Sequence, residues 1–148
     1  MGLIAIELSD AGLIAAAGTP AGLLELDGQD TESPGFALPQ KDGLLVGKEA
    51  EGRAHLFPRQ ILNRFWDQLD TDPLEQPAKY APQNHAEIVY HHLTRIWQAF
   101  QTHGDEVVLV VPDFYDRQQL GLILGIAQEL SMVVKGFVPM ALAASSIA

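Results

Sequence analysis

The sequence predicts one α/β domain with a mixed sheet in the order 3-2-1-4-5 and helices on both faces. Three observations carry this expectation. Apolar runs at residues 2–8 and 13–17 flank the turn-forming Ser9-Asp10-Ala11-Gly12, so the chain opens on an antiparallel hairpin. Two capping patterns, Asn84 with Glu87 and Asp116 with Gln119, each precede an apolar stripe at helical spacing. Between those stripes lies VVLVV, residues 107–111, a continuous apolar run of the kind that forms a strand covered on both faces.

Each element follows in order. Residues 2–8 are apolar except for Glu7, and a second turn at 18–22 leads to a third short strand at 23–26, which completes a meander. Residues 27–35 are polar and read as a loop. Residues 36–38 and 44–46 form a small hairpin around Pro39-Gln40-Lys41-Asp42-Gly43, and 48–55 a short helix interrupted before Pro58. Ile61, Leu62, Phe65, Trp66 and Leu69 have helical spacing, which predicts a helix within 59–69. Residues 70–83 hold three prolines and read as an irregular linker. The stretch 27–83 is thus an irregular and helical segment inserted into the domain.

The second half is more regular. Behind Asn84, Ile88, Val89, Leu93, Ile96, Trp97 and Phe100 mark one face of a helix ending near His103-Gly104. Behind Asp116 the stripe is Leu120, Ile123, Leu124, Ala127 and Leu130. Gly121 and Gly125 would let this second helix approach a neighbour closely. Residues 132–138 form a fifth strand, and 139–148 begin a further helix. A helix joining two parallel strands crosses over right-handed, so strands one, four and five lie parallel and side by side. This is a ribonuclease-H-like arrangement, shared by nucleases, integrases and the actin-like ATPases.

Composition narrows the function classes. The 148 residues suffice for one domain with a proper core, and 47% are apolar, normal for a folded globular chain. The net charge of -10 opposes nucleic acid and anionic membrane surfaces, since phosphates are repelled at long range. A local anion site built from backbone amides stays compatible with it. Without cysteine there is no disulfide, thiolate metal site or Cys nucleophile. No apolar run approaches the roughly 18–20 residues that span a bilayer, and no signal peptide is visible. These features point to a cytoplasmic protein.

Open α/β sheets usually bind ligands outside the carboxyl ends of their strands. Glu7 ends strand one and Asp113 follows strand four, so the topology brings the two acids to one end of the sheet. As a pair they could hold a divalent ion, directly or through water; as separate residues they are solvated acids at strand ends. Among the five histidines, Glu87 and His91 are one helical turn apart, while His91 and His92 point to different faces. No His-x-x-x-His pair is present, so a solvated helix face is the plainer reading. Gly-x-Ser-x-Gly and the Walker phosphate loop are absent. The aromatics Phe65, Trp66, Trp97 and Phe100 read as core.

Several stretches are similar to one family. In VVLVVPDFYDRQQLGLILGIAQELSMVVKGFVPMALAAS, residues 107–145, Val111-Pro112 precedes the aromatic pair Phe114-Tyr115 and a helix opened by Asp116 and Gln119. A further strand runs into Val138-Pro139-Met140-Ala141. Upstream, Ser33-Pro34 and LLVGKEAEGRAHLFP, residues 44–58, add a Thr-Pro-Ser-like stretch and a Val-Gly-x-x-Ala-like segment. In this order the motifs resemble the N-terminal part of the nucleotide-binding domain of seventy-kilodalton heat-shock chaperones, within the actin-like ATPase superfamily. The resemblance covers nearly the whole chain.

It implies a lobe that binds ATP and Mg in the full-length protein, with the opening hairpin in the place of the first phosphate loop. The family's strand one ends in Asp-x-Gly-Thr-Thr, which wraps phosphate and lies near the magnesium shell. Those places hold Glu7, Ser9, Asp10, Ala11 and Gly12 here. Asp10 puts a negative charge where phosphate oxygens would sit, at a cost of a few kcal/mol at ~4 Å in a partly dehydrated site. The family's catalytic lysine falls on Trp66, eight residues beyond Pro58, with Arg59 and Arg64 out of register. The glutamate of its Glu-Pro-Thr motif is Val138.

The expectation is therefore a chaperone-like first lobe, a segment of a longer protein, with weak or lost ATPase activity and no tight nucleotide binding by this chain alone. Its partner is a second lobe or another protein, or a further copy through an uncovered face. Two alternatives stand beside it: a non-enzymatic interaction module on the same fold, and a metal-dependent nuclease using Glu7 and Asp113. The nuclease needs further clustered acids, and the charge opposes its substrate.

Overall fold

The computed structural model describes residues 2–9, 12–19, 22–23, 32–40, 43–58, 61–63, 65–66, 68–72 and 84–141. They form a mixed α/β structure. Strands β1 (Leu3–Ser9) and β2 (Gly12–Thr19) make the opening hairpin, paired from Leu3↔Gly18 to Ser9↔Gly12. A short β3 (Gly22–Leu23) pairs with the far end of β2. The expected third strand at 23–26 thus begins a residue earlier, and 24–26 lie outside the described residues.

β3 covers only Gly18 and Thr19 of β2. The other end of that edge is taken by β4 (Glu32–Pro34), antiparallel to β2 from Gly12↔Pro34 to Ile14↔Glu32. This corrects the reading of 27–35 as loop for residues 32–34. Backbone groups along an unfilled strand edge need partners, and a polar segment meets that need as well as an apolar one. Strands β5 (Ala37–Gln40) and β6 (Gly43–Val46) make a separate two-stranded sheet, followed by α1 (Lys48–Arg53). Gly47 opens α1 at φ 69, where a side chain would be strained.

The helix expected within 59–69 is not formed by the described residues there. Leu62 instead bridges to Ala37, its N–H donating to the Ala37 carbonyl at 2.8 Å and its carbonyl accepting from Ala37 at 2.7 Å. Phe65, Trp66 and Leu69 are buried in the main core from turn and irregular backbone. The spacing reports which side chains are buried; the edge of β5 decides the backbone.

Helix α2 (His85–Phe100) begins at Asn84, whose side chain accepts from the Glu87 N–H at 2.9 Å. Strand β7 (Glu106–Val111) follows, then α3 (Arg117–Glu129) and β8 (Val134–Pro139). Both halves of the capping box between Asp116 and Gln119 are present in α3. Gly121 and Gly125 are exposed, and among the described residues a Cβ at either would meet nothing within 4 Å, so the close helix approach expected of them is not seen there. β8 starts two residues later than expected, with Met132 buried just ahead of it. Met140 and Ala141 are helical, and 142–148 lie outside the described residues.

The main sheet is six-stranded along the path β3-β2-β1-β7-β8, with β4 also on β2. β1, β7 and β8 run parallel, and β2 is antiparallel to β1. One face is the core: Ile4, Ile6 and Leu8 of β1 pack beside Leu13, Ala15 and Ala17 of β2 and Val107, Leu109 and Val111 of β7. The same buried cluster takes Ile88, Val89, Leu93 and Phe100 from α2 and Ile123 and Ala127 from α3. From the other face, Leu3, Ala5, Ile14, Ala16, Val108 and Val110 do not join it, and Leu3 and Ile14 are 43% and 48% exposed. Helices on both faces were expected; the described long helices share the core of one face. Val108 and Val110 are correspondingly half-buried, so β7 is not fully covered on both sides.

Gly2 and Gly104 fix the start of β1 against the turn before β7. A Cβ on Gly104 would stand 2.7 Å from the Gly2 carbonyl oxygen, a contact that backbone would have to shift to relieve. Gly104→Ala is expected to cost about 1–3 kcal/mol, read as a lowered urea midpoint with an unchanged m-value.

Candidate functional site

The parallel pairing sets the carboxyl ends of β1, β7 and β8 side by side. At this end the β1–β2 hairpin closes on the Ser9↔Gly12 pair. Gly12 has φ 139, a backbone state that favours glycine, and the Ser9 hydroxyl donates to the Gly12 carbonyl at 3.4 Å. Asp10 and Ala11 lie outside the described residues.

Glu7 stands level with Ile14 on β2 and with Val110 on β7, and Val110 in turn pairs with Val138 on β8. One row across the outer face therefore reads Ile14, Glu7, Val110, Val138, a single half-buried acid among hydrophobes. The resemblance places acids at Glu7 and at Val138; the row carries only the first.

Asp113 is at the same end of the sheet, three residues beyond Val110, the register partner of Glu7. Its carboxylate is engaged elsewhere: Oδ1 accepts from the Ala141 N–H at 3.0 Å, satisfying one of the amides at the start of the helix after β8. The topology brings Glu7 and Asp113 to one end of the sheet, and the described contacts of Asp113 are those of a cap. Among the described residues no group of three or more His, Asp or Glu side chains could hold a metal ion. Among the described residues at this end, Glu7, the capping Asp113 and Val138 do not by themselves make a site for a directly held magnesium ion.

Trp66, which the resemblance sets in the place of a catalytic lysine, is fully buried. Arg59 and Arg64 lie outside the described residues. Of the helix histidines, His91 is exposed and His92 buried, on different faces as their adjacency requires.

Sequence reasoning missed one cluster. His92 has no exposed surface, and its ring lies 5.8 Å from those of both Phe65 and Trp66. Burial, reinforced by the Arg95 charge one turn away, lowers its pKa from 6.5 to about 4. The signal was present: Ile88, His92 and Ile96 are spaced by four on one stripe. Around this cluster the carbonyls of Trp66, Gln68 and Leu69 are held by side chains. The Tyr115 hydroxyl donates to the Trp66 carbonyl at 2.5 Å, Gln119 Nε2 to the Leu69 carbonyl at 3.3 Å, and His85 Nδ1 lies 2.9 Å from the Gln68 carbonyl. Each such bond contributes on the order of 1 kcal/mol. This cluster lies in the buried core, with His92 contributed by α2.

No protein-family model and no curated protein matches the chain. No helix among the described residues is long and apolar enough to cross a membrane.

Proposed function

We propose that the chain is the first lobe of a nucleotide-binding protein of the seventy-kilodalton heat-shock chaperone type, on a ribonuclease-H-like sheet of order 3-2-1-4-5, and that its phosphate turn is degenerate. The strand path carries this reading: an antiparallel meander leads into parallel β1, β7 and β8, with the β1–β2 turn at the ligand end of the sheet. The ordered motifs at 33–34, 44–58 and 107–145, which resemble that family, support the choice of family. In this reading ATP and Mg belong to the whole protein, a second lobe completes the site, and the protein is cytoplasmic. Asp10, Trp66 and Val138 stand where the family has phosphate-wrapping, lysine and glutamate residues, so hydrolysis is weak or lost.

A second reading, a non-enzymatic interaction module on the same fold, is favoured by Val138 and by the engagement of Asp113 with Ala141. Calorimetric titration of Mg-ATP into the protein at its native length separates the two. The first predicts weak binding that Asp10→Gly tightens about tenfold or more, since a like charge near phosphate is removed. Unchanged absence of binding in the variant favours the module. Micromolar binding with turnover by the unaltered protein overturns the degenerate site.

A further inference from the structure

We draw no further inference here: the strongest candidate, the apolar outer face of the sheet where Leu3 and Ile14 stand exposed, carries nothing, because nothing in the structure shows what covers it.

Discussion

Lowering the pH from 7 to 4 is expected to remove about 3 kcal/mol of folding stability through His92 alone. In the unfolded chain this imidazole takes up its proton near 6.5, in the folded chain only near 4. Between those values the unfolded state binds more protons, so stability is fully present above 6.5 and falls as the pH drops toward 4. The cause is its position: a ring without exposed surface, against Phe65 and Trp66, with the Arg95 guanidinium opposing a second positive charge. Carboxylates add their own acid sensitivity, so the test is a difference. Urea unfolding of the unaltered protein and of His92→Leu, followed from pH 7 to 4, isolates the contribution. The variant loses about 3 kcal/mol less over that range. Equal losses in both proteins would show that His92 titrates in the fold as it does in water.

Truncating the neighbouring ring has the other large effect. Trp66 is among the largest fully buried side chains and belongs to the cluster joining the sheet, α2 and α3. Trp66→Ala is expected to cost about 4 kcal/mol, the transfer free energy of the ring plus the cavity left behind. Trp66→Phe behaves differently. The Trp66 Nε1 is buried with no hydrogen-bond partner among the described residues, so the substitution also removes an unmatched donor. The Tyr115 hydroxyl bonds the Trp66 carbonyl, which both variants keep. The net cost of the Phe variant is about 1 kcal/mol. Chemical denaturation of the two variants checks this, and equal losses would mean that the indole is not held as described.

What the sequence made legible follows from what each signal measures. The β1–β2 hairpin and helices α2 and α3 were accessible because turn formers and caps act within a few residues of themselves. Residues 61–69 were not. Their apolar spacing is helical, yet the Leu62 backbone bonds to Ala37 across the chain, and a long-range ladder leaves no local trace. β4 was hidden for the same reason: Glu32, Ser33 and Pro34 carry no period-two pattern, and only the unfilled edge of β2 makes them a strand. At the candidate site, the meeting of the β1 and β7 ends was readable from topology. The bond from Ala141 to Asp113 was not, because it joins a loop to a helix start 28 residues further on.

Whether this chain is one lobe of a two-lobed protein, as proposed, is read from the intact mass of the native protein in its own cells. An antibody raised against this chain, followed by mass spectrometry of the captured species, gives that mass. A two-lobed protein gives a species of several tens of kilodaltons. A native species at 16.1 kDa, the mass of this chain alone, would contradict it.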